Sequence, residues 1–279
     1  MIRRQVGDEF WLIAQHDHAQ ISGQLAELIG NDQFASPSSA AAILGITLHD
    51  CGWPLHDDQP TLNSQHLPID VFESTREIGL RVWDASAEKA AELDDYAGLL
   101  VSLHGLGLSA FATEHSSVSS SNWNLDDPRA RFEVNRFQHK MIELQESLRQ
   151  RLGMKTDRPL KNGLATDARD PQEQRLIFDF RWLGAMDKLS LAICCAHPPF
   201  NMLEPLLPRI AEPATAIRIT RDKNDLQLHP WPFAKSEIEI QVPYRRVSAK
   251  PFENGAEFRL VYSVAPIERF TARVRPRNI

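Results

Sequence analysis

Phe178-Asp179-Phe180-Arg181-Trp182-Leu183-Gly184-Ala185-Met186-Asp187-Lys188-Leu189-Ser190-Leu191-Ala192 is the stretch whose reading decides the fold. Leu176, Phe180, Leu183, Asp187, Leu191 and Cys194 fall at helical spacing, which predicts a helix with one apolar stripe. Asp187 sits in the middle of that stripe. An unpaired buried charge costs several kcal/mol or more, so the helix must bring the carboxylate to a cation or leave it protonated. A metal ion is a compact partner, and its other ligands can be sought upstream.

Two more predicted helices supply them. Around Gln15-His16-Asp17-His18-Ala19, the stripe His18, Ile21, Leu25, Leu28, Ile29 repeats every three or four residues and turns His18 inward. The apolar run from Ala40 to Leu48 predicts a helix that ends on His49 and Asp50, just before the terminating Gly52. Two imidazoles and two carboxylates form a mixed N/O set. Such a set suits a divalent transition metal, Fe, Mn, Ni, Co or Zn, whereas Mg prefers more oxygen. His104 is a further candidate on the stripe Leu93, Ala97, Leu100, His104, Leu108, Phe111, where it is either a ligand or substrate contact, or a hydrogen-bonded core residue.

Helical periodicity covers roughly 17–30, 38–51, 70–84, 86–111, 128–152 and 171–197. Ser38-Ser39 and Asp170-Pro171 make good helix starts. Before them, Ile2 to Ala14 reads as two short strands around a Gly7-Asp8 turn. After Pro213 the period changes to two, with strands expected at 216–220, 226–228, 238–242 and 258–262. A lone hairpin is marginal in water, so the N-terminal pair should join this sheet. The fold class expected is α+β: a mainly helical bundle over 15–205, with 1–14 and 212–279 forming a small antiparallel sheet packed on it. Thr113–Asn124 is serine-rich and reads as a lid or as disorder, and Thr156–Arg169 reads as a connector.

The chain of 279 residues has a net charge of −6. From Leu206 onward 13 Lys or Arg face 8 Asp or Glu, so the preceding part carries the negative excess. The basic residues are scattered among strand residues, with no nucleic-acid motif. No apolar run approaches membrane length and no signal pattern is present, which predicts a cytoplasmic protein. Cys51, Cys194 and Cys195 read as reduced core thiols. No glycine-rich phosphate loop is found, because Gly105-Leu106-Gly107 is too short and has no preceding strand.

The order of His18, His49-Asp50 and a late Asp187 within Met186-Asp187-Lys188-Leu189-Ser190 resembles the HD superfamily of metal-dependent phosphohydrolases. Gln15 to Ala19, His49 to Trp53 and Pro230-Trp231-Pro232-Phe233 are similar to an uncharacterised bacterial family within it, a domain of unknown function. The resemblance covers most of the chain. It implies an HD-like bundle with His18, His49, Asp50 and Asp187 as metal ligands. His104 is the best candidate for the extra ligand of binuclear members, so one ion or two are implied.

The function expected from these residues is phosphoester hydrolysis by metal-activated water. Asp50 would orient the nucleophile or take its proton, and His104 or Lys188 would stabilise the phosphate or the leaving group. A small phosphorylated molecule or nucleotide is the partner class, with no nucleic acid and no membrane, and a homo-oligomer is compatible. The alternatives are a metal-containing ligand-binding or sensor protein without turnover, and an HD-type di-iron oxygenase. The His-Asp dipeptide alone is weak evidence: about 0.7 are expected by chance and three occur, at His16, His49 and His56. Only His49-Asp50 follows an apolar helix. His16 precedes its helix and points elsewhere; His56, Asp57 and Asp58 either rim a pocket or lie in a solvated loop. His139 reads as exposed. Trp53, Trp182 and Phe180 read as core aromatics, and Trp231 as a packing corner or a stacking surface for substrate.

Overall fold

Chain order sets out the elements: strands β1 (Ile2–Val6) and β2 (Glu9–Ile13), then helices α1 (Gln15–Ala26), α2 (Ala40–Leu48) and the single turn α3 (Pro54–Asp57). A 3-10 turn at Val71–Glu73 precedes α4 (Arg76–Leu93), α5 (Asp95–Glu114) and α6 (Pro128–Arg151). A short hairpin, β3 (Leu160–Lys161) and β4 (Leu164–Ala165), leads to α7 (Pro171–Cys194). Strands β5 (Met202–Leu207), β6 (Thr215–Asp222), β7 (Asp225–His229) and β8 (Ile238–Ser248) follow, then α8 (Gly255–Val264) and β9 (Ile267–Pro276). The computed structural model describes residues 1–114, 123–155, 160–161, 163–165, 170–222 and 224–277. The middle of the serine-rich stretch, 115–122, lies outside the described residues, as do 156–159, 162 and 166–169 of the expected connector.

The helix around Asp187 forms as its spacing predicts. Asp170 caps it by accepting from the Gln172 N–H, and Pro171 occupies its first position. Its burial is wider than one stripe: Leu176, Trp182, Leu183, Ala185, Met186, Leu189, Ala192 and Ile193 are all fully enclosed. Phe180, Asp187 and Leu191 lie at the margin of this buried face. At its C-terminal end Arg4 donates to the carbonyls of Ile193, Cys194 and Cys195, and Arg221 donates to that of Ala192. Two cations thus meet the negative end of the helix dipole and tie β1 and β6 to α7.

The sheet departs from the small antiparallel sheet expected. It has seven strands in the order β1-β2-β8-β9-β7-β6-β5, and β7 pairs with β9 in parallel. The protein is therefore mixed α/β. The N-terminal hairpin does join the C-terminal strands, through β2 against β8. Residues 258–262 are helical rather than extended. Asn254 accepts from the Ala256 and Glu257 N–H groups and caps α8, which lays Phe258 and Tyr262 on one face against Phe252. Strands β5 and β9 were not expected; in β9 the buried Phe270, Ala272 and Val274 alternate with Thr271 and Arg273.

One apolar core joins helices and sheet, running from Leu25, Leu100 and Met186 to Leu228, Ile240 and Val274. Each such side chain, fully buried, contributes roughly 1.5–3 kcal/mol. The break expected near residue 85 falls instead at Asp94, whose carboxylate accepts from the Tyr96 and Ala97 N–H groups and starts α5. Consequently Leu93 and Phe111, at the ends of the expected His104 stripe, are exposed while Ala97, Leu100 and His104 are buried. Helix α5 packs against α2, α4, α6 and α7. By length and composition it could cross a membrane, contrary to the expectation of no such run, yet 61% of the relevant window is buried within the fold.

Candidate metal centre

Four elements deliver five side chains to one place. His18 comes from the first turns of α1, His49 from the residue that caps α2, Asp50 from the following turn, His104 from α5 and Asp187 from α7. The turn carrying His49 and Asp50 is pressed onto α4 at Gly52. A Cβ there would stand 2.2 Å from the Val82 carbonyl oxygen and 2.7 Å from the Ser86 nitrogen, so only glycine fits. The Gly52 N–H donates to Ser86 Oγ at 2.8 Å, which locks the approach.

His18 Nε2 lies 2.9 Å from Asp50 Oδ2, and His49 Nε2 lies 3.4 Å from Asp187 Oδ1. His104 Nε2 is 3.8 Å from Asp187 Oδ2. The His49 ring meets the rings of His18 and His104 edge to face, with centroids 5.0 and 5.1 Å away. Donor atoms of His18, His49 and Asp187 all lie within 4.8 Å of one another, as do those of His49, Asp50 and His104. His18 and His49 are almost wholly buried, and the Asp187 side chain retains 14% exposure.

The ring hydrogens are constrained from behind. His49 Nδ1 donates to the Ile46 carbonyl at 2.7 Å, which directs Nε2 into the centre. His18 Nδ1 contacts Ser190 Oγ at 2.8 Å. Gln15 Nε2 donates to Asp50 Oδ2 at 3.4 Å. Burial pushes the His49 imidazolium down, but contact with Asp187 and the charge of Asp50 outweigh it and raise the group to about 9. Burial pushes Asp187 up, yet His49 and the neighbouring imidazoles hold it below its ordinary value. Asp50 is likewise lowered by His18 and His49 against its burial. Burial dominates at His104 and pushes it down to about 4, so this ring is neutral at pH 7.

The residues fit a metal ion. His49 Nε2 and Asp50 Oδ1 are buried and, despite the short ion-pair distances, have no hydrogen-bond partner. Leaving such atoms unpaired costs about 1–3 kcal/mol each. Two imidazoles with one carboxylate, the composition of each set, suit the borderline first-row metals.

Other expected residues are placed as follows. Lys188 is half-buried on α7 and has no hydrogen bond or ion pair among the described residues, and the helix turns it about 100° from Asp187. His56 and Asp57 are buried on α3, not in a solvated loop; Asp57 accepts from the Gln15 N–H and the Met1 amino group. Asp58 and His139 are exposed. Trp231 is a packing corner: it stacks edge-on against Phe233 and donates to the Lys235 carbonyl at 2.8 Å. Three residues escaped the sequence reading. Ser22 and Ser190 follow His18 and Asp187 by four and three positions, a spacing that could have flagged them. Asp179, wholly buried, accepts from Ser38 and from Tyr96 Oη, and so joins α7 to α5 and to the residues before α2.

No curated protein and no solved structure matches the chain. A family model described as a protein of unknown function, DUF3891, matches residues 1–249, and with most of its length covered the chain belongs to that family.

Proposed function

We propose that the protein is a metal-dependent phosphohydrolase with an HD-like helical bundle. His18, His49, Asp50 and Asp187 hold one divalent transition metal, and a small phosphorylated molecule or nucleotide is the substrate. The observation that carries this reading is the convergence of those four side chains, with His49 Nε2 and Asp50 Oδ1 buried and unpartnered. The order of the four residues along the chain resembles that of the HD superfamily, which supports the reading.

When bound, the metal supplies Lewis acidity towards a phosphate oxygen and lowers the pKa of water towards neutrality. The chain's own groups do the rest. Gln15 donates to Asp50 Oδ2, and Oδ1, which has no hydrogen-bond partner, can orient an attacking water or accept its proton. His104, neutral and at the rim of the cluster, can donate one ring N–H to a phosphate or leaving-group oxygen.

Elemental analysis of anaerobically purified wild type, Asp187→Ala and His104→Ala, followed by a phosphoester panel, tests the proposal. About one Mn, Ni, Co or Zn per chain, lost in Asp187→Ala, together with metal-dependent phosphate release, is expected. Metal-dependent turnover that survives in Asp187→Ala sinks the assignment. Nucleotide binding without turnover across several metals would point to a sensor instead.

His104 supports a second reading. With His49 and Asp50 it completes another two-imidazole, one-carboxylate set, the ligand type of non-haem iron oxygenases. Two irons that depend on His104, with substrate consumed only in air, would select that reading over hydrolysis.

A further inference from the structure

Some glycines inside helices are forced by a neighbour: a Cβ would come within 2.1 Å of Thr47 at Gly23 and within 2.5 Å of Ala91 at Gly98. Gly184, in the middle of α7, is different, because a Cβ there would meet no other residue within 4 Å. The same holds at Gly107, three residues past His104 on α5. Packing makes no demand for glycine at position 184, and glycine weakens a helix relative to alanine. What it does leave is bare backbone and open space three residues before Asp187.

That space belongs to a wider face. Phe180, Arg181, Gly184, Asp187, Lys188 and Leu191 all keep partial exposure, whereas Leu176, Leu183, Met186 and Leu189 on the other side of α7 are enclosed. At about 100° per residue the six fill a sector of about 120°, with Asp187 at one edge, Gly184 in the middle, and Arg181 with Lys188 at the other edge. Arg181 and Lys188 stand within about 20° of each other around the helix and about 10 Å apart along it, with Gly184 between them. Neither has a hydrogen bond or ion pair among the described residues. By contrast Arg4, Arg149 and Arg221, also withdrawn from solvent, each donate to a protein oxygen. A partly desolvated cation without a partner costs stability. Asp50 and Asp187 together balance one divalent ion, so the two cations on α7 are surplus charge at the edge of the centre.

We propose that this face of α7 is an anion-binding floor beside the metal centre, on which Arg181 and Lys188 hold a second anionic group of the substrate while its reacting phosphate lies at the metal. The substrate class narrows to small phosphoesters that carry a further phosphate or a carboxylate, since guanidinium and ammonium groups bind both oxyanions. Bare backbone at Gly184 lets such a ligand lie close to the helix. Arg181 thereby sets specificity through binding and takes no part in the bond-breaking step. This inference rests on the proposed hydrolase reading.

Three probes of similar size test it. Glycerol 3-phosphate has no second anionic group, 3-phosphoglycerate has a carboxylate, and propane-1,3-diol bisphosphate has another phosphate. The full chain is titrated calorimetrically with each, with and without bound metal, as wild type, Arg181→Gln, Gly184→Leu and Arg175→Gln. Wild type should bind at least one doubly anionic probe about tenfold or more tightly than glycerol 3-phosphate, and the probe that gains identifies the group. Arg181→Gln and Gly184→Leu should cut that preference below about threefold. Arg175→Gln, an exposed arginine on the opposite side of α7, should keep it. Gly184→Leu should also keep the thermal midpoint of wild type, because its side chain enters open space; a purely structural glycine would lower it. Equal affinity for all three probes in wild type overturns the proposal, as does a preference that survives Arg181→Gln. Should Arg181→Gln not fold, Gly184→Leu and the wild-type preference decide. An Arg181-dependent preference without phosphate release under any metal supports the floor and counts against the hydrolase reading. Metal-dependent release from glycerol 3-phosphate, with no preference for the other probes, keeps that reading and removes this inference.

Discussion

His49 and Asp187, from opposite ends of the helical region, approach to 3.4 Å between Nε2 and Oδ1, while the other His49 nitrogen is held by the Ile46 carbonyl. The contact is short enough for an ion pair, yet His49 Nε2 has no hydrogen-bond partner. A cation between them satisfies both atoms at once.

Removal of either partner should therefore abolish metal retention. Asp187→Ala and His49→Ala are expected to weaken binding more than about 100-fold, beyond the cost of losing a group behind a ligand, whereas His104→Ala keeps at least one ion. Elemental analysis after gel filtration reads the difference. Retention in Asp187→Ala would show that the carboxylate is only a core residue.

Chelation should lower stability as well. The ligands come from α1, the end of α2 and α7, so an ion that binds only the folded chain stabilises it by about 2.7 kcal/mol at a hundredfold excess over Kd. Thermal unfolding with and without a chelator measures the effect. An unchanged midpoint in metal-loaded protein would contradict it.

Gly52→Ala should destabilise the fold by about 1–3 kcal/mol, since its Cβ would press on the α4 backbone at Val82 and Ser86. Because the same turn carries His49 and Asp50, metal affinity should fall too. Urea denaturation and metal titration of this variant check the two effects separately.

Arg149 and Glu173 form a buried ion pair at 2.8 Å, and Arg149 also donates to the Gly163 carbonyl at 2.6 Å. Arg149→Met leaves the Glu173 carboxylate buried without its guanidinium and should cost about 3–5 kcal/mol. Replacing both residues, as Arg149→Met with Glu173→Leu, should recover much of that loss. A double variant no better than the single one would show that the Gly163 contact dominates.

Burial pushes the His56 imidazole down to about 4. The unfolded chain then binds more protons than the folded one between about pH 4 and 6.5, so stability from this group is complete above 6.5 and is lost as pH falls towards 4. Its size is on the order of 3 kcal/mol. Unfolding free energies of wild type and His56→Gln across this range should diverge, with the shallower slope in the variant. Parallel curves would mean that His56 is already solvated in the fold.

Periodicity and spacing alone determined that a helix presents Asp187 to a core, that His18 faces inward, and that an apolar helix ends on His49-Asp50. These are local properties, because a side chain's face follows from its position in a repeat of 3.6. The same local logic misread 258–262 as a strand, since a short run of Phe258, Leu260 and Tyr262 satisfies period two as well as period four, and only Asn254's cap and the packing on Phe252 select the helix. Parallel pairing of β7 with β9, the seven-strand order and the pairing of Ser190 with His18 depend on which distant segments meet. Sequence spacing carries no record of that, because long-range contacts are set by the joint packing of all the faces. Tertiary structure alone therefore decided that five side chains from four elements share one centre.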